Sequence, residues 1–165
     1  MPKEPEVELL GANTQAVRLV GRAVAVPLRI DRPTGQKVLQ SFTAAGGPRR
    51  EPDRIFLNLE NITGTNDAAI FDVYVGLGPD EDPETHPANF AGVVSLFGLR
   101  GATTLANPHG GNGLNKVIEI TDVIDRLQLR GSLGLNDLSV RFVAANSFGT
   151  GGIQIGRVSV YRQAG

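Results

Sequence analysis

Two histidines, His86 and His109, and no cysteine make up the soft-metal inventory of this chain. A pair of coppers that handles oxygen needs about six imidazoles, because neutral imidazole nitrogen suits copper. His86 and His109 sit in separate loops with no His-x3-His spacing, so a di-copper site is excluded by count and both read as solvated loop residues. The absence of cysteine excludes disulfides and thiolate metal sites as well. Asp80, Glu81, Asp82 and Glu84 form an acidic run that invites a hard cation, since such ions take clustered carboxylates. The run lacks the twelve-residue spacing and the glycine of an EF-hand. Pro79, Pro83 and Pro87 share its segment, and the expectation is a solvated, proline-stiffened turn.

Other chemistries fail on pattern. Ser41, Ser95, Ser132, Ser139, Ser147 and Ser159 show no G-x-S-x-G elbow. Gly46-Gly47 and the glycines of 149–152 are followed by no Lys-Ser/Thr, so neither is a phosphate loop. Asn61-Ile62-Thr63 is a glycosylation sequon, which matters only in a secreted chain. Sugar sites usually offer exposed aromatic platforms, and here aromatics are 5% of the chain with no tryptophan. Phe90 and Phe148 lie near loops, each as a contact residue or as a plug for the open end of a sandwich. No catalytic, cofactor-binding or metal-ligating residue is identified, and no cofactor is expected.

The elements that would carry these residues are mostly strands. In RIFLNLENITGTNDAAIFDVYVGL (54–77), Ile55, Leu57 and Leu59 alternate with Phe56, Asn58 and Glu60, and Phe71, Val73, Val75 and Leu77 with Asp72, Tyr74 and Gly76. Period two gives each run one apolar face. Gly64, Asn66 and Asp67 suit a turn between them, so the segment reads as a central strand pair with Val73 inward. Further strands are expected at 7–11, 17–20, 22–30, 36–42, 91–100, 116–120, 138–144 and 153–162. Pro27 cannot donate to a ladder, which marks 22–30 as an edge strand. The run 91–100 reads as buried on both faces. Inward parity changes across Gly156, where a β-bulge is expected. One short helix is expected near 121–130, with Thr121 as cap, Asp122 in its first turn and Arg130-Gly131 at its end. Loops 44–53, 78–90 and 101–115 are long and polar. The expected fold is all-β, an antiparallel, jelly-roll-like β-sandwich over 7–165 behind a flexible lead, 1–6.

The chain has 165 residues and a formal net charge of −1, with both signs mixed along it. That suits one domain and gives no stripe for nucleic acid or anionic lipid. No apolar run approaches the ~18 residues of a membrane span, and the first residues lack a signal-peptide core. The expectation is a cytoplasmic, bacterial-type protein without nucleic-acid or membrane partners.

The stretches ELLGANTQAVRLVGRAVAVPLRI (8–30), 54–77, DPETHPANFAGVVSLFG (82–98), VIEITDVIDRL (117–127) and IQIGRVSVYR (153–162), in that order, resemble the C-terminal domain that follows the di-copper domain in bacterial tyrosinases and polyphenol oxidases. The resemblance covers nearly the whole chain. It implies a β-sandwich that packs over the copper site of a catalytic domain, blocks substrate access in the latent enzyme and is displaced on activation. The catalytic part itself has no counterpart here. The reading is therefore a non-catalytic protein-interaction domain whose partner is a tyrosinase-type catalytic domain or another protein, with weak self-association. The alternative is a stand-alone small-ligand or carbohydrate-binding jelly roll. The partner-facing surface is expected in the three long loops, with Phe90, Leu105 and Phe148 as contact residues.

Overall fold

Alternating apolar runs become strands throughout the computed structural model, which describes residues 4, 6–44, 53–65, 68–103, 113–129, 137–149 and 152–165. The strands are β1 (Val7–Ala12), β2 (Val17–Leu19), β3 (Ala23–Ile30), β4 (Arg54–Gly64), β5 (Ala68–Val75), β6 (Phe90–Phe97), β7 (Leu114–Glu119), β8 (Asp137–Ala144) and β9 (Ile153–Gln163). Among the described residues three α-helices join them: α1 (Arg32–Ala44), α2 (Leu99–Thr103) and α3 (Thr121–Leu129). No described helix is long and apolar enough to cross a membrane.

Hydrogen bonding runs β6-β5-β8-β3-β1-β9-β4-β7, with β2 beside β9, and these pairings are antiparallel. The ends of this order approach each other. A Cβ added at Gly92 of β6 would meet Ile118 Cγ2 of β7 at 3.5 Å. The sheet is therefore a nearly closed barrel. It is pinched where β1 joins β3 through Gly11–Ile30 and Ala12–Arg29. Two halves result, β7-β4-β9-β1 and β3-β8-β5-β6, which face each other as the sheets of a sandwich do. The expected all-β class holds.

The 54–77 segment departs from the expected strand pair. β4 bonds to β7 and β9, and β5 bonds to β6 and β8, so the two are not neighbours. The strand order puts them in opposite halves of the barrel, with their apolar faces toward the same core. Ile55, Leu57 and Leu59 then meet Phe71, Val73 and Val75 in one core cluster, all fully buried. Each such side chain gains roughly 1.5–3 kcal/mol by leaving water. Val73 is inward, as its parity requires. Phe71 lies edge-on to Phe142, with centroids 5.5 Å apart.

Residues 36–42 are helical and belong to α1, which corrects the expected strand. Asp31 is the cause. Its carboxylate accepts from Thr34 N at 3.2 Å, a donor that a helix start leaves free, and from Thr34 Oγ1 at 2.6 Å. Pro33 falls in the first turn, where a missing N–H is harmless. Val38 is the buried anchor of this helix, while Lys37 reaches Glu8 of β1 at 2.9 Å.

Three smaller corrections concern register and caps. Parity does change across Gly156, but Asn61 of β4 changes with it, and the β4–β9 register is the same on both sides. Asn61 takes a left-handed φ of 54° there, and the register shift falls between β4 and β7 instead. Pro27 lies in a strand that has partners on both sides, yet β1 reaches only Arg29 and Ile30, so the proline is locally at an edge. Thr121 Oγ1 accepts from Ile55 N at 2.9 Å, tying α3 to β4 rather than capping the helix. Arg130 and Gly131 lie outside the described residues, as do 1–3 and 5 of the expected lead. Glu6 O, by contrast, accepts from Ala164 N at 2.9 Å.

Candidate interaction surface

The acidic segment 78–90 is built, not loose. Arg141 of β8 is buried, and its guanidinium donates to Glu81 O and, at 2.7 Å, to Gly78 O. Asp82 accepts from Glu84 N at 3.0 Å and so starts a 3₁₀ turn over Pro83–Thr85, and a second turn follows at Pro87–Asn89. Buried Asn89 donates through Nδ2 to Val75 O at 2.9 Å. Glu81 accepts from Gly78 N at 2.9 Å, and its other oxygen meets His86 Nε2 at 2.6 Å. The carboxylates of Glu81 and Asp82 are thus spent on holding the loop. No group of three or more His, Cys, Asp or Glu suited to a metal ion occurs among the described residues.

Held in this way, the loop forms one wall of a groove of about 480 Å³ on the outer face of β3, β8 and β5. Ala23, Ala25 and Val143 line it on the sheet side, Pro79 and Pro83 on the loop side. Tyr74 points into it and lies edge-on to Phe90 at 5.5 Å between centroids. Burial raises the Tyr74 phenol above its ordinary range, and Asp72, Glu84 and Asp82 add to the shift because a phenolate beside carboxylates is disfavoured.

Of the expected contact residues, Phe90 is the one placed at the surface. Phe148 is buried and packs edge-on against Phe71 at 5.7 Å, so it plugs the end of the barrel. Leu105 and His109 lie outside the described residues, as does most of loops 44–53 and 101–115. The first three residues of the latter segment close helix α2.

A surface that the sequence reading missed lies on β5, β6 and β7. Phe97, Val117, Val93 and Ile70 are 70%, 64%, 56% and 48% exposed. β6 is therefore not buried on both faces: Val94 and Leu96 point in, while Val93 and Phe97 point out. The signal was present in parity. Once Phe71 and Val73 face the core, Ile70 must face away, and β6 alternates likewise.

A family model described as Domain of unknown function (DUF7868) matches residues 6–163. Tyrosinase HcTyr1 of Hahella sp. (strain CCB-MM4) is 29% identical over 161 residues, covering 96% of this chain and 33% of the tyrosinase. Among solved structures, recombinantly expressed latent aurone synthase, a polyphenol oxidase, has a TM-score of 0.55 at 12% identity, covering 92% of this chain and 26% of that one. Latent aurone synthase from its natural source gives 0.54 at 11% identity over the same shares. At such identities the structural likeness is one of fold. The chain spans about a third of the tyrosinase and a quarter of the polyphenol oxidases. The resemblance to a C-terminal domain of these enzymes agrees with those shares.

Proposed function

We propose that this chain, which belongs to the family described as Domain of unknown function (DUF7868), is a non-catalytic domain that covers the di-copper site of a tyrosinase-type catalytic domain. One observation carries the reading: nearly the whole chain aligns with a minor part of a tyrosinase. Such a domain works by exclusion. A rigid β-scaffold seated over a substrate entrance keeps phenols out without chemistry of its own, and displacing it restores access. The support from this chain is a core that is complete in itself together with outward apolar side chains that core packing does not explain.

The test adds the chain to a tyrosinase preparation that lacks the matching part. Diphenol oxidation is expected to slow as the chain is titrated in. No inhibition at tens of micromolar, about −6 kcal/mol of binding, rejects the reading. A second reading, a small-ligand or carbohydrate module, is favoured by the groove, whose volume falls in the range of ligand pockets and whose lining includes the aromatic ring of Tyr74. Calorimetric titration with mono- and oligosaccharides addresses it, and saturable heat quenched in Tyr74→Ala supports it.

A further inference from the structure

We infer that the docking face for the catalytic domain is the outer face of β5 and β6 together with β7, centred on Val93 and Phe97, rather than the acidic loop 78–90. This inference rests on the proposed function and specifies the surface that function would use. Register assembles the face. Ala68 pairs with Phe97, Ile70 with Ser95 and Asp72 with Val93, so Ile70 sits diagonally between Val93 and Phe97 on one side of the sheet. Gly92 of β6 stands against Ile118 of β7. The outward residues next to that contact, Val93 and Val117, therefore flank the gap where the barrel fails to close. Among the described residues, β6 bonds to β5 alone and β7 to β4 alone, which leaves two strand edges beside the apolar residues. Exposed apolar side chains next to open strand edges are costly in water unless covered.

The occupant is the catalytic domain. In the tyrosinase relative two thirds of the length lies outside the segment that this chain matches, and in the polyphenol oxidases nearly three quarters. That mass is attached to this fold in one chain. A second copy of this chain fits less well. A two-fold axis near Val93 would bring Asp72, its cross-strand partner, toward its own mate, whereas a different protein can meet that carboxylate with a cation. The segment 78–90 is a poorer candidate because the carboxylates of Glu81 and Asp82 are engaged within the loop and the carbonyls of Gly78 and Glu81 by Arg141.

The experiment uses the same tyrosinase preparation, accepted only if it turns over diphenol. Phe97→Asp and Val93→Thr alter exposed positions, and each variant is accepted when its melt stays within a few degrees of the parent. Glu84→Gln is the control on the loop. The expected result is at least a tenfold rise in the half-inhibitory concentration for Phe97→Asp, a smaller rise for Val93→Thr and none for Glu84→Gln. If wild type inhibits and both face variants inhibit equally well, the docking face is elsewhere while the cap reading stands. If wild type does not inhibit, the cap reading falls and this inference with it. Sedimentation of the chain alone decides the remaining occupant: self-association abolished by Phe97→Asp, with inhibition unchanged, assigns the face to a second copy and overturns the inference.

Discussion

Arg162 of β9 and Asp53, the residue before β4, form a buried ion pair, with Nε 2.6 Å from Oδ2. The Asp53 hydrogen bond raises the guanidinium pKa above its already high ordinary value, against the opposing effect of burial. A second contact, Arg162 Nη1 to Glu8 at 3.3 Å, draws in β1. The pair therefore fastens the start of β4 and the end of β9 at one edge of their ladder. Removing one member leaves a charge out of water without its partner, which costs about 3–5 kcal/mol for a buried pair. Asp53→Ala is expected near the lower end, about 3 kcal/mol, because Glu8 remains. The double variant Asp53→Ala/Arg162→Met should recover part of that loss in urea melts. A single-variant loss below about 1 kcal/mol would mean that the pair sits in a wetter setting than its burial implies.

Acid should weaken the fold through Glu8. Hydrogen bonds with Glu6 and Lys37 hold its carboxyl at about 2, down from 4.5. The folded chain thus binds this proton less readily than the unfolded chain does. The stability contributed is complete above pH 4.5 and is lost as pH falls toward 2. Glu119 acts in the same direction, lowered chiefly by its hydrogen bond with Arg54. Thermal melts between pH 7 and 3 should fall for wild type and fall less steeply for Glu8→Gln below pH 4.5. Parallel curves for the two proteins would remove Glu8 from the account.

Core position and plug can be separated from surface contact by two substitutions. Val73→Asp places a carboxylate among fully buried apolar residues, at a cost of several kcal/mol out of the 5–15 kcal/mol typical of a domain. Phe148→Ala empties the site against Phe71 and should cost about 3–5 kcal/mol. Both losses should appear in denaturant melts of the isolated chain, with no partner present. A Phe148→Ala protein that melts like the parent would return Phe148 to the list of contact residues.

Which parts of this fold could be read in advance follows from how local each cause is. Alternation is a property of a few neighbouring residues, so the strands from β4 to β9 and the inward set Ile55, Leu57, Phe71 and Val73 were legible. The neighbours of β4 and β5 were not, because a three-residue link permits either a hairpin or a crossing over the barrel end. What decides is the partnering of β4 with β7 and β9, far along the chain. Helix α1 was legible in principle: Asp31 three residues before Thr34, with Pro33 in the first turn, is a helix start. Gly35 and a weak apolar pattern hid it behind a turn-like sequence. The outward face of β6 was missed because its run of apolar residues cannot say on its own that one side is left open.

Tyr74 reports on its groove. Its phenol is raised first by burial and then by Asp72, Glu84 and Asp82. Ultraviolet titration in a Tyr161→Phe background should place its midpoint above 10.0, the ordinary value. Asp72→Asn should bring the midpoint down part of the way, since burial persists. A midpoint unmoved by Asp72→Asn would show that the carboxylate is screened from the ring by water.

Arg141 carries the last prediction. Its two donations, to Glu81 O and Gly78 O, connect β8 to a segment whose remaining hydrogen bonds are largely its own. Hydrogen bonds from a charged donor contribute about 1.5–3 kcal/mol each, but the freed carbonyls lie in an exposed loop and can return to water. Arg141→Met should therefore loosen the loop more than it destabilises the barrel. Amide exchange is the suitable measurement, because Glu81 N donates to Gly78 O at 3.1 Å and Thr85 N to Asp82 O at 3.2 Å. Both amides should exchange much faster in the variant. Asn89 N should change less, since the Asn89 side chain still anchors that end of the segment on Val75 O at 2.9 Å. Unchanged exchange at Glu81 and Thr85 would show that the prolines and the Glu81–His86 contact hold the loop without the arginine.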